Sequence, residues 1–218
     1  MGERDWRAWH EPYDQQGSSL ARRLEIVQRR LVDALDSSPD GPVTVISMCA
    51  GQGRDLLGVL DDHRRRADVH ARLVELDERN VGYAIDTVAA RGLHHIEVVL
   101  GDASTTSAYE GMAPADVVLV CGVFGNVSDE DIHATILELR HLCRRGSTVI
   151  WTRHRRPPDR TPRIRAWFSE AGFEEVAFDC EDGFLFGIGT HRFVGEPRPF
   201  RSGIRLFDFV GDGQAADL

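Results

Sequence analysis

Between Val43 and Leu60 the chain reads VTVISMCAGQGRDLLGVL, and this stretch limits the possible folds more than any other. A short β-branched apolar run ends in Cys49-Ala50-Gly51-Gln52-Gly53, and a helical pattern starts at once. Glycines at a strand–helix junction allow a tight turn and a close backbone approach to a ligand. The first turn of the helix then directs unsatisfied N–H groups at whatever lies above it. The segment therefore predicts the first β–α unit of a nucleotide-type cofactor site.

The rest of the chain repeats that alternation. Ser18 or Ser19 can cap a helix whose stripe is Leu20, Leu24, Val27, Leu31 and Leu35, ending in the turn-rich stretch Ser37 to Gly41. Strands are expected at 43–48, 71–76, 95–100, 116–121 and 147–152, and helices at 54–63, 79–91, 129–143 and 162–171. Strands 175–180 and 184–193 flank Glu181-Asp182-Gly183, a hairpin signal. Such alternation argues for one α/β domain, a three-layer sandwich around a mostly parallel seven-stranded sheet with an antiparallel terminal strand. Residues 1–38 add an N-terminal helical cap, and the whole of 1–218 forms a single domain. Gly211 to Leu218 are expected to fray.

Charge and cysteine usage narrow the partners. The 26 Lys and Arg against 35 Asp and Glu leave a net charge of -9, the wrong sign for a phosphate backbone, so a small-molecule partner is expected and nucleic acid is disfavoured. Cys49, Cys121, Cys143 and Cys180 form no CxxC pair, which argues for a reducing, cytoplasmic setting. The charged start MGERDWRAWHE does not read as a signal peptide, and no apolar run reaches membrane-spanning length. His63, His70, His94 and His95 lack convergent ligand spacing, so no metal site is expected. Monomer and homodimer are both open.

In an open α/β sheet the ligand lies beyond the carboxyl ends of the strands. Residues expected there are Gly51, Gln52 and Gly53, then Glu75, Leu76 and Asp77, then Gly101, Asp102 and Ala103, then Cys121, Gly122, Val123 and Phe124 with Asn126 beyond. Glu75 follows Gly51 by the interval expected of a carboxylate that binds ribose hydroxyls. A dinucleotide fingerprint needs a third glycine, which Gly51-Gln52-Gly53-Arg54-Asp55-Leu56 lacks. Asp55 would also repel a pyrophosphate and could attract a cation instead.

These motifs together resemble the class I, Rossmann-like, S-adenosylmethionine-dependent methyltransferases over about residues 40 to 193. Cys49-Ala50-Gly51-Gln52-Gly53 resembles the family's glycine-rich first motif, and Val74-Glu75-Leu76-Asp77-Glu78-Arg79-Asn80 its acidic second motif. Leu100-Gly101-Asp102-Ala103 is similar to the third-strand motif, and Cys121-Gly122-Val123-Phe124-Gly125-Asn126 to the fourth-strand segment beside the methionine end. Arg144-Arg145-Gly146 and Ala171-Gly172-Phe173 resemble the turns before strands five and six. The resemblance implies S-adenosyl-L-methionine as cofactor, with Glu75 on the ribose, Asp102 on the adenine amino group and Ala103 against the ring. Cofactor contacts are expected from Gly51, Gln52, Gly53, Asp55, Glu75, Leu76, Asp102, Ala103, Cys121 and Gly122. The Asp/Asn-Pro-Pro-aromatic segment of amino-group methylases is missing, since Cys121 to Phe124 takes its place.

The reaction implied is methyl transfer to an oxygen or nitrogen of a small molecule, with carbon also open. Many acceptors need a base to expose a lone pair. His10 and Tyr13 in the cap and His154 after strand five are the candidates, with His191 behind them. Arg153, Arg155 and Arg156 read either as a solvated basic loop or as partners of an anionic acceptor. Two other functions fit the same pattern: a non-catalytic module that binds a nucleoside or a protein, and an NAD-dependent oxidoreductase. Leu206 to Val210 is an apolar stretch that could finish the flank of the sheet or meet a second subunit.

Overall fold

A computed structural model of the protein describes residues 17–210. The chain enters through helix α1 (Ser19–Ser37), whose first turn is closed by Ser18 Oγ accepting from the Ala21 N–H at 3.0 Å. Then β1 (Val43–Met48), α2 (Arg54–Leu60), β2 (Val69–Glu75), α3 (Glu78–Ala90) and β3 (Ile96–Leu100) alternate. A 3-10 turn (Thr106–Tyr109) leads to β4 (Ala115–Val120), α4 (Asp129–Glu138) and a second 3-10 turn (Leu139–His141). The last elements are β5 (Cys143–His154), α5 (Thr161–Glu170), β6 (Phe173–Asp179) and β7 (Phe186–Phe193).

The seven strands form one sheet in the order β3-β2-β1-β4-β5-β7-β6. Pairings from β3 through β5 are parallel, while β7 runs antiparallel to both neighbours. The expected hairpin is present, but its second strand lies inside the sheet and β6 takes the edge. Close packing makes that insertion possible: a Cβ on Gly189 of β7 would lie 2.2 Å from the buried Trp151 ring of β5. Only a residue without a side chain lets β7 lie against that indole.

Three expected boundaries move by three residues or more. Helix 129–143 stops at Glu138, because Cys143 already pairs with Ala115 and β5 begins there. Ser147 Oγ donates to the Ala115 carbonyl at 2.6 Å and accepts from the Arg144 N–H at 2.8 Å, which holds the irregular register at that point. Helix 54–63 likewise ends at Leu60.

The central strands of the sheet are buried on both faces. On one side Ile26, Leu31 and Leu35 of α1 and Leu56 and Leu60 of α2 cover Val45, Leu73, Leu119 and Ile150. On the other, Ile132 and Ile136 of α4 and Ile164 and Phe168 of α5 pack with Met48, Val118 and Trp151. Each completely buried Leu, Ile or Phe contributes about 1.5–3 kcal/mol from removed apolar surface, so these layers carry most of the stability.

A strap formed by residues 200–210 completes the second face. Leu206 and Phe207 are 1% exposed and join that core. The strap backbone is tied to the chain after β3, with Leu206 N–H donating to Ser104 O (2.8 Å) and Thr106 N–H to Ile204 O (2.9 Å). Beyond β4, Val210 N–H donates to Asn126 O at 3.0 Å. Of this stretch, Leu206 and Phe207 finish the flank, while Phe209 is 50% exposed.

Candidate functional site

A cleft of about 1050 Å³ opens above the carboxyl ends of the central strands. Its floor is the β1–α2 turn and the ends of β2, β3 and β4. One wall is the first half of α1, through Arg23, Leu24 and Val27, and the other is the strap, through Arg205, Asp208 and Phe209. That volume is at the upper end of the roughly 300–1,000 Å³ that encloses a drug-sized ligand, so two small molecules fit side by side.

The β1–α2 turn is built from alternate left-handed residues. Cys49, Gly51 and Gly53 have φ of 50°, 56° and 69°. At Gly53 a Cβ would also lie 2.6 Å from Leu73 Cδ2 and 2.9 Å from Leu57 Cδ1, so glycine is required by conformation and by space. Cys49 holds the same conformation with a side chain. Burial, then the neighbouring Glu75 and Asp102 charges, push its thiol well above the ordinary range, so it stays protonated and unreactive.

Glu75 closes the floor. Its Oε2 accepts from the Gly51 N–H at 2.7 Å, and its Oε1 accepts from Leu76 N–H (3.0 Å) and Asp77 N–H (2.9 Å). Three backbone donors thus hold the carboxylate in one plane while it lines the cleft. Asp77 caps α3, accepting from the Arg79 N–H (2.9 Å) and Asn80 N–H (3.2 Å). Above all the Arg79 side-chain bond holds Asp77 below the usual carboxylate range.

Asp102 sits one strand further on. Its Oδ1 accepts from Ser104 N–H at 2.9 Å and from Ser104 Oγ, and its Oδ2 accepts from Arg205 Nη1 at 2.8 Å. Partial burial works to raise its pKa, yet Ser104 and Arg205 outweigh it and hold Asp102 below the ordinary value. Asp55, at the start of α2, behaves oppositely. Burial pushes it up against the opposing pull of the Leu56 N–H and the Arg23 charge.

Of the residues expected to contact a cofactor, Gly51, Gln52, Asp55, Glu75, Leu76, Asp102, Ala103, Cys121 and Gly122 all line this cleft. Gly53 lies beneath the turn as the buried residue preceding α2. Burial raises the Cys121 thiol, which leaves it a small apolar wall group. His154 is not among the lining residues. It lies at the end of β5, where a Cβ on Gly125 would sit 3.5 Å from its ring. Burial, then the Arg153 and Arg156 charges, hold it below its ordinary pKa. His191 is buried behind β5, its Nδ1 accepting from the Trp151 indole N–H at 3.2 Å. His10 and Tyr13 lie outside the described residues.

The strap residues Arg205, Asp208 and Phe209 and the α1 residue Arg23 were not expected at the site. The strap's signal was the buried-side pair Leu206-Phe207 bracketed by Arg205 and Asp208, which marks a docked extended segment. Leu20 and Leu24 extend the α1 stripe beyond the turns that meet the sheet; both are partly exposed, and Leu24 faces the cleft. Among the described residues no three His, Cys, Asp or Glu side chains converge on a possible metal position. None of the described helices is long and apolar enough to cross a membrane.

The sequence model of a family described as "putative methyltransferase" matches residues 19–162, which takes in the whole floor of the cleft. The chain belongs to that family. Solved methyltransferases share its architecture. Magnesium protoporphyrin IX methyltransferase from Synechocystis PCC 6803, with bound SAM, aligns with a TM-score of 0.67 at 14% identity over 86% of this chain and 90% of that one. An O-methyltransferase family protein from Burkholderia thailandensis gives 0.65 at 18% over 88% of this chain, and the CurJ carbon methyltransferase 0.68 at 12% over 88%. This methyltransferase-family chain spans 61% and 59% of the length of those last two. At such identities the likeness is one of fold. No curated protein matches the sequence.

Proposed function

We propose that the chain is an S-adenosylmethionine-dependent methyltransferase acting on an oxygen or nitrogen of a small molecule held between α1 and the strap. The observation that carries this reading is the pair of carboxylates, Glu75 at the end of β2 and Asp102 just beyond the end of the neighbouring β3, opening into one cleft beside the left-handed turn at 49–53. When bound, S-adenosylmethionine supplies a methyl group already activated by the positive sulfonium.

The donor and acceptor set of the cleft fits that molecule. Glu75 Oε2 carries one backbone bond and keeps a lone pair for a ribose hydroxyl. Asp102, kept ionised, is an acceptor suited to an exocyclic amine, with Leu76 and Ala103 offering apolar contact to a ring. Cys121, Gly122, Asp55 and Gln52 surround the opposite end, where the methionine moiety belongs in this reading. Six carboxylates (Asp55, Glu75, Asp77, Glu78, Asp102, Asp208) line the cleft against four arginines (Arg23, Arg54, Arg79, Arg205). That balance suits a cationic sulfonium and opposes the pyrophosphate of a dinucleotide.

The chain's own contribution to rate is to orient and to exclude water, because in-line displacement on an activated methyl depends on near-attack placement. The described lining holds no histidine and no tyrosine. An acceptor that is already nucleophilic needs none. For one that must lose a proton, His10, Tyr13 and His154 are the groups we assign to accept it.

Calorimetric titration with S-adenosylmethionine, S-adenosylhomocysteine and NAD tests the reading. Micromolar binding of the two sulfur compounds and none of NAD is expected. Absence of binding by both sulfur compounds to folded protein would overturn it.

A further inference from the structure

Asp102, like Glu75, already carries three hydrogen bonds, but one of them comes from a charged side chain of the strap. A carboxylate offers about four acceptor positions. Ser104 fills two on Oδ1 with its N–H and hydroxyl, and Arg205 fills one on Oδ2. A single acceptor position on Oδ2 is left.

The guanidinium that does this is itself fixed. Arg205 Nε donates to Asp208 Oδ1 at 3.0 Å, Nη2 bonds the same oxygen, and Nη1 reaches Asp102. The backbone beneath it pairs with Thr105, and Leu206 and Phe207 anchor the next two positions in the core. The strap thus delivers one cation to a defined place beside Asp102.

We propose that Arg205 is a positioning residue for nucleobase recognition, holding the Asp102 carboxylate in plane so that its one remaining acceptor site selects an exocyclic amino group over a carbonyl. The inference rests on the cofactor reading above, and adds to it a part for the strap, which lies beyond the residues the family model matches.

The alternative, that the pair simply steadies the fold, is weak. The Arg205 and Asp102 side chains are 52% and 51% exposed, and ion pairs at such exposure contribute little to stability. Arg205 is also the cation that faces Asp102 among its titratable neighbours. On the β1–α2 turn and the 3-10 turn, the Cys49 thiol and the Tyr109 phenol both see the Asp102 charge, and burial keeps both neutral.

The test compares wild type, Arg205→Lys and Arg205→Gln in titrations with S-adenosylhomocysteine and with its inosine analogue, whose base carries a carbonyl in place of the amino group. Arg205→Gln is expected to weaken adenosyl binding about fivefold at neutral pH and to narrow the adenosyl-over-inosyl preference. Arg205→Lys, which keeps the charge but lacks the planar fork that spans Asp102 and Asp208, is expected to restore affinity more than preference. Wild-type binding with an Arg205→Gln variant unchanged in base preference would overturn the inference and leave the cofactor reading standing, even if overall affinity fell. No adenosyl binding by wild type would remove the cofactor reading, and this inference with it.

Discussion

Replacing Glu75 probes the floor of the cleft more directly than any other substitution. Its two oxygens accept three backbone N–H groups, from Gly51 at 2.7 Å and from Leu76 and Asp77 at 3.0 and 2.9 Å. In Glu75→Gln, the amide oxygen can keep Leu76 and Asp77, but the amide nitrogen then faces the Gly51 N–H, donor against donor. The charge-assisted bond at that position is lost, and so is the acceptor that a ribose hydroxyl would use. Losing such a bond costs about 1–3 kcal/mol, or about fivefold to 150-fold in Kd. Glu75→Ala also leaves three turn N–H groups without their acceptor. The site is half-buried and water replaces part of the loss, so about 1–2 kcal/mol of stability is at stake, a fall in Tm of about 2–8 °C. Calorimetry with S-adenosylhomocysteine reads the first effect and thermal melting the second. Glu75→Gln with wild-type affinity and a native circular dichroism spectrum would refute the assignment of Glu75 to the ribose.

Three further outcomes follow from the packing and the charges. Gly189→Ala places a methyl 2.2 Å from the buried Trp151 ring, which is hemmed in by Phe168 and Phe178, so a loss of about 3 kcal/mol is expected in urea unfolding; an unchanged midpoint would mean that β7 does not lie against the indole. His191 is pushed down to about 4, chiefly by burial, from an unfolded value of about 6.5. It is neutral in the folded state, the unfolded chain binds the extra proton, and stability is lost as pH falls from about 6.5 toward about 4. By pH 5 the loss attributable to it is about 2 kcal/mol, and His191→Gln, which can still accept from Trp151, should flatten that slope in denaturation compared at about pH 7 and about pH 5. His154→Ala is expected to leave cofactor affinity at the wild-type value, since His154 lies outside the cleft lining. Unchanged turnover in that variant with an acceptor that must be deprotonated would remove His154 from the candidate bases.

Much of the floor was legible because each part is announced locally. The strand β4 is buried at every position and, Asp116 apart, reads as an apolar run, and β1, with Thr44 and Ser47 among its apolar residues, is buried almost throughout. Turn residues bound them, and the carboxyl ends follow by counting. Glu75 and Asp102 were found that way. Long-range contacts were not legible. The early start of β5 depends on Ala115 meeting Cys143, and the inner position of β7 depends on Trp151 meeting Gly189, two pairings that no periodicity encodes. The hairpin itself was readable from Glu181-Asp182-Gly183, but its place in the sheet was not.

The walls of the cleft differ from its floor in how they are held. Arg22 of α1 makes a two-pronged bond to Glu181 at 2.8 and 2.7 Å, and Arg30 makes another to Asp179 at 2.7 and 2.9 Å, both across to the β6–β7 hairpin. Gln28 donates to the Arg54 carbonyl at 2.9 Å over Gly58, where a Cβ would lie 2.4 Å from its Nε2. On the opposite side the strap hangs on the Ser104, Thr106 and Asn126 backbone bonds and on Thr135 Oγ1 donating to Leu206 O at 2.7 Å. Residues facing the space beside the turn, Arg23, Leu24, Asp208 and Phe209, therefore sit on segments fixed by distant partners, while the Glu75 and Asp102 carboxylates sit at the ends of strands fixed by their neighbours. A floor built on local signals can stay constant while walls fixed through a few side-chain contacts change. On the function proposed above, choice of acceptor is assigned to α1 and the strap and recognition of the cofactor to the strand ends, and Arg205 joins the two by reaching from the strap to Asp102.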